Sequence, residues 1–154
     1  MTISRSVHID APARRVWDLV SDLPNMGRLS PENTGGTWRG GATGPAVGAR
    51  FKGSNRHGVR RWSTTVRVTR CEPGSGFGFA VSSVLGIPVS EWSYDIAATD
   101  AGGCDVTETW ADRRPGWFKR PAGLVTGVMT RDDTSTAVNL EQTLAAVRAL
   151  AEQG

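Results

Sequence analysis

The apolar residues of this chain change their spacing once, and that change limits the fold more than any motif does. From Ile3 to Asp112 they fall in short runs that alternate in twos, whereas beyond Pro121 they recur every three or four residues. A strand buries every second side chain, and a helix buries one stripe with a period of about 3.6. The chain therefore reads as a series of strands closed by one helix.

The strand-like runs are Ile3–Ile9, Thr37–Arg39, Arg50–His57, Arg61–Glu72, Phe77–Ser83, Val89–Ala98 and Asp105–Asp112. Trp62, Thr64, Val66 and Val68 alternate against Ser63, Thr65, Arg67 and Thr69, and Trp92, Tyr94 and Ile96 against Ser93 and Asp95. Between the runs stand Gly35-Gly36, Gly40-Gly41, Gly44-Pro45, Pro73-Gly74, Gly86 to Pro88 and Gly102-Gly103. Short connections and one polar face per strand predict an antiparallel meander. After the first strand, Asp10 is placed to cap a short helix, with Pro12 in its first turn and Ala13, Val16, Trp17 and Val20 on one face. A further helical turn is expected around Met26 and Leu29.

The terminal stripe is Met129, Asp133, Ala137, Leu140, Leu144, Val147 and Ala151. It predicts a helix of about 25 residues, roughly 37 Å long. A sheet of seven strands with one apolar face needs a cover, and this helix is the only element long enough. It is about 10 Å across and carries small or medium residues on its inner stripe. A twisted sheet is broader than that. A gap between sheet and helix follows, and it is the candidate site.

Charge and composition remove several classes. Lys plus Arg is 18 and Asp plus Glu is 15, a formal charge of +3, too mild for a nucleic-acid stripe. Arg61, Arg67 and Trp62 do not share a strand face, which argues against a stacking platform for RNA. No apolar run reaches the roughly 18 residues of a membrane span, and the opening MTISRSVHIDAP lacks a signal-like pattern, so a cytoplasmic protein is expected. Cys71 and Cys104 are the two cysteines; at three strand steps of about 4.8 Å they lie beyond disulfide reach and are expected to be free. His8 and His57 have no partners at metal or triad spacing, so neither a metal nor a cofactor is expected.

The opening VHIDAPARRVWDLVSDLPNMGRLSPE, with its Ala11-Pro12 turn and Val16-Trp17, resembles the START-like superfamily in its polyketide cyclase/dehydrase and lipid-transport branch. RRWSTTVRVTRCEPGSGFGFAV and VSEWSYDIA are similar to its central strands. The resemblance covers the chain, 1–154, as a single ligand-binding domain. It implies a helix-grip fold, α+β, in which a curved seven-stranded antiparallel sheet wraps a long C-terminal helix around a hydrophobic cavity. It supplies no shared catalytic motif.

The expected cavity wall is Trp17, Phe51, Trp62, Val66, Phe79, Trp92, Tyr94, Trp110, Leu140 and Leu144. Tyr94 adds a hydroxyl. Asp133 either orients a ligand or acts as an acid or base, or else answers the helix dipole beside Asp132. Glu108 and Arg70 are expected to point outward. The segment Arg113 to Pro121 sets Trp117 and Phe118 between cations, including Lys119 and Arg120. That pattern suits a cavity mouth touching a membrane surface; the alternative is a solvated loop whose rings plug the cavity end. Few titratable groups are available for the interior, so binding of a lipid, polyketide or isoprenoid-like ligand is favoured over catalysis. Two alternatives stay open. One is a polyketide aromatase/cyclase or dehydratase using Tyr94 or Asp133, marked by two titratable groups within reach of each other deep in the pocket. The other is a partner-binding regulatory module, marked by a filled interior.

Overall fold

A computed structural model describes residues 1–30, 33–83, 85–116 and 133–153. Seven strands form one antiparallel sheet: β1 (Thr2–Ile9), β2 (Asn33–Arg39), β3 (Arg50–His57), β4 (Arg60–Glu72), β5 (Gly76–Ser82), β6 (Pro88–Ala98) and β7 (Cys104–Asp112). Their order is β1-β7-β6-β5-β4-β3-β2, a meander from β2 to β7 with β1 added beside β7. Among the described residues two helices complete it, α1 (Ala13–Val20) and α2 (Asp133–Glu152), with a 3-10 segment at Leu23–Arg28.

Alternation decides which side chains face the interior. On β7 the buried residues in alternation are Cys104, Val106, Glu108 and Trp110, with Ala111 buried beside them, and on β6 they include Tyr94 and Ile96. Register then sets them opposite one another: Phe79 faces Trp92 and Trp92 faces Trp110, while Phe77 faces Tyr94 and Tyr94 faces Glu108. The outer face holds the polar ladder. Ser4 and Thr109 bond at 2.9 Å, Ser6 and Thr107 at 2.8 Å, and His8 Nδ1 lies 2.8 Å from the Asp105 carboxylate.

Asp10 does not cap α1. Pro12 occupies that position without a side-chain bond, and the Asp10 carboxylate turns back to His8 Nε2 at 3.0 Å. β2 starts at Asn33, earlier than the Thr37 expected from the sequence, and carries a bulge between Asn33 and Gly35. Its Gly36 has φ +153, and a Cβ there would strike the Phe51 ring and the Lys52 carbonyl, so the register of this edge depends on glycine. The β3–β4 hairpin closes on Gly58-Val59, with Gly58 at φ +64, which suits the two-residue turn.

The helix α2 packs chiefly on β1 and also on α1. Leu144, Val147 and Ala151 join Ile9, Val16, Val20, Phe77 and Val106 in a filled core. Trp17 is part of that core: its indole N–H donates to the Gly76 carbonyl at 2.8 Å and its ring meets Phe77 edge-on. Met129, at the start of the expected stripe, lies outside the described residues.

Candidate functional site

Toward its N-terminal end, α2 presents a different set of side chains. Thr136, Asn139 and Thr143 are buried beside the Leu140–Leu144 stripe, one position back on the helix. They are short and polar, and they do not reach across to the aromatic floor of β4 to β7. A cavity of about 410 Å³ remains there. Its walls include Trp62, Val66, Phe79, Trp92, Tyr94 and Trp110 from the sheet, with Asn139 and Thr143 from the helix. Phe79 and Trp92 stack at 6.5 Å between centroids, and the Trp92 indole N–H donates to Ser90 Oγ at 3.1 Å. Leu85, on the β5–β6 turn, lines the same space yet is 83% exposed, so the turn stands at its rim.

Six of the ten expected wall residues thus surround one hollow. The other four do not. Trp17 and Leu144 pack into the filled core, Leu140 is fully buried without lining the hollow, and Phe51 meets the Trp38 ring at 5.3 Å. Leu140 and Leu144 sit about 100° around the helix from Asn139 and Thr143, which is enough to turn them from the hollow to the core. Asp133 begins α2, but its side chain, like all of Trp117, Phe118, Lys119 and Arg120, falls outside the described residues.

Glu108 corrects an expectation. It is fully buried and lines the cavity, not the outer face. The Tyr94 hydroxyl donates to Glu108 Oε1 at 2.9 Å, whereas Oε2 is buried with no partner. Removal from water pushes the Glu108 carboxyl up to about 8, against a weaker opposing effect of the Tyr94 hydrogen bond. Burial first, and then the neighbouring Glu108 charge, hold the Tyr94 phenol well above its ordinary value. Near neutral pH the dyad is thus a carboxylic acid beside a phenol, both largely uncharged.

Alternation contained the signal for Glu108. The residue keeps step with Cys104, Val106 and Trp110, and only its charge argued for the opposite face. Arg70, by contrast, does lie toward solvent, held by Glu72 and Asp95. Arg114 also lines the cavity; its Nε and Nη2 lie 2.9 and 2.8 Å from the two Asp112 carboxylate oxygens, a bidentate pair. Among the described residues no cluster of His, Cys, Asp and Glu is placed to hold a metal, and none of the described helices is long and apolar enough to cross a membrane. Cys71 and Cys104 are both free.

A curved antiparallel sheet gripping a C-terminal helix over a partly hollow interior defines the helix-grip class. Within it, the chain belongs to the polyketide cyclase/dehydrase and lipid transport family, whose model matches residues 1–152. A polyketide cyclase-like protein of Corynebacterium glutamicum is 29% identical, with 97% of this chain and 90% of that one covered and a TM-score of 0.65. A START superfamily protein of Mycobacterium smegmatis shares the fold at 13% identity, with 99% and 97% covered and a TM-score of 0.72. The di-domain ARO/CYC StfQ of the steffimycin biosynthetic pathway aligns over 99% of this chain and 50% of its own, at 10% identity and a TM-score of 0.76. No curated protein matches the chain.

Proposed function

We propose that the protein binds a small, largely apolar molecule in the hollow between β4–β7 and α2. The observation that carries this is the aromatic cavity itself, about 410 Å³ with the Tyr94–Glu108 pair in its wall. Apolar burial at about 25 cal/mol per Å² supplies the affinity, and the dyad fixes orientation. Membership of a family described by polyketide and lipid chemistry supports this ligand class. Native mass spectrometry of the purified protein is expected to reveal a bound small molecule, and Nile red to bind saturably. The absence of both an adduct and saturable dye binding would remove the proposal.

One observation favours a second reading, the cyclase or dehydratase. Tyr94 and Glu108 are two titratable groups in direct contact inside the pocket, which is the mark expected of an enzyme. A neutral carboxylic acid in an apolar site can protonate a ligand carbonyl, and its carboxylate can then remove a proton from the adjacent carbon. Turnover of a polyketone mimic, lost in both Glu108→Gln and Tyr94→Phe while binding is kept, distinguishes this from carriage. A partner-binding module calls for a filled interior, and the hollow weighs against it.

Contact of the cavity mouth with anionic membrane belongs to the carrier reading. It rests on the sequence of Trp117, Phe118, Lys119 and Arg120. Co-sedimentation with anionic liposomes, lost on Trp117→Ala with Phe118→Ala, tests it.

A further inference from the structure

We propose that the cavity selects ligands whose buried polar group is a neutral oxygen, a ketone carbonyl or a hydroxyl, and rejects free carboxylates, because the group offered to the ligand is the unpartnered Oε2 of Glu108. The inference rests on the ligand-binding reading above and adds the chemistry of the ligand's polar end.

The groups around Glu108 leave its charge without an answer. From β6 comes the neutral Tyr94 hydroxyl, already bonded to Oε1. From β1 the residue opposite in register is Arg5, but its guanidinium turns to Glu141 on α2 at 3.2 Å and to the Ser4 carbonyl at 2.8 Å. From α2 the cavity receives Asn139 and Thr143, both uncharged and bonded to each other at 3.4 Å. Arg114, the cation that lines the hollow among the described residues, already faces both Asp112 oxygens.

With no free cation among the described residues facing it, Glu108 is held as an acid. Its Oε2–H can then donate to a carbonyl or hydroxyl oxygen, which gives the orphaned atom a partner and buries no net charge. A ligand carboxylate arriving at the same atom leaves one uncompensated negative charge in an apolar interior. Burying such a charge without a counter-charge is unfavourable. Discrimination therefore comes from charge burial, and it depends on the ionisation of both partners.

The test uses three probes of equal chain length: dodecanol, the corresponding methyl ketone and dodecanoate, each displacing Nile red from the full chain. At about pH 7 the alcohol and the ketone are expected to bind at least roughly tenfold more tightly than the carboxylate. That gap is expected to shrink at about pH 4.5, where roughly half of a carboxylic acid of ordinary pKa is protonated. Ketone affinity is expected to fall as pH rises through about 8 in the wild type, and to stay flat in Glu108→Gln, whose amide donates without ionising. Circular dichroism checks the fold of the variant; if it does not fold, the wild-type pH series decides alone. Equal binding of the three probes at neutral pH, or ketone affinity independent of pH across 8, overturns the selectivity and leaves the cavity reading standing. If Nile red does not bind and native mass spectrometry shows no adduct, both fall.

Discussion

The two ends of the space between sheet and helix use the same layers and end differently. At one end Leu144, Val147 and Ala151 of α2 meet Ile9, Val16, Phe77 and Val106, and the interior is filled. At the other, Asn139 and Thr143 face Trp62, Phe79, Trp92 and Trp110 across a hollow. The sheet is aromatic at both ends, so the floor does not account for the contrast. The helix does: it changes from aliphatic side chains that reach the floor to short polar ones that do not. A cavity in this fold is thus made by what one helix face withholds, and the dyad of Tyr94 and Glu108 stands where the packing stops.

The contrast can be broken by mutation. The largest effect is expected at the filled end, where Phe77→Ala opens a void in close-packed surroundings and costs about 3–5 kcal/mol in urea melts. Next comes Glu108→Gln, through pH. Between about 4.5 and about 8 the folded protein holds a proton that the unfolded chain has released, so wild-type stability falls as pH rises across that window and levels above it. The variant is expected to show a flatter profile and to be more stable by a few kcal/mol at about pH 9, since each pKa unit between 4.5 and about 8 is worth about 1.4 kcal/mol. A profile that keeps the wild-type slope would mean Glu108 is ionised in the folded state.

Smaller effects sharpen the contrast. Trp92→Ala at the hollow end is expected to cost only about 1–2 kcal/mol, because part of its ring already faces space that contributes no contacts. A loss as large as that of Phe77→Ala would show the two ends to be equally packed. Thr143→Leu is expected to fill part of the hollow, stabilise the fold by about 1 kcal/mol and abolish Nile red binding. The least effect belongs to the outer face. Hydrogen bonds donated by the His8 ring to Asp105, then to Asp10, raise the His8 pKa above 6.5. Its small contribution is therefore complete below 6.5 and fades as pH climbs through the raised value. Asp105→Asn should bring the His8 titration seen by NMR back toward 6.5.

The strands were legible because Trp62-Thr64-Val66-Val68 and Trp92-Tyr94-Ile96 alternate without interruption. The helix-grip fold followed from the change of period at the C-terminal end and from the resemblance of the opening segment. The candidate site was legible on the sheet side only. Trp62, Val66, Phe79, Trp92, Tyr94 and Trp110 all reach the hollow, since strand alternation leaves a side chain two choices of face. On the helix, the spacing points to Leu140 and Leu144 as wall, because apolar residues mark the buried stripe. The buried arc is wider than that stripe, and its polar part, Asn139 and Thr143, is what meets the cavity.

Glu108 shows the same division between chain and fold. The order of residues by itself determined the strands, the inward phase of β7, the aromatic floor and the single covering helix, because these depend on periodicity along the chain. Only the tertiary structure decided which end of that floor stays open, and that Glu108 meets Tyr94 with one oxygen free. Those outcomes depend on the register between β6 and β7 and on the rotation of α2 about its axis, neither of which is written in the spacing of one segment.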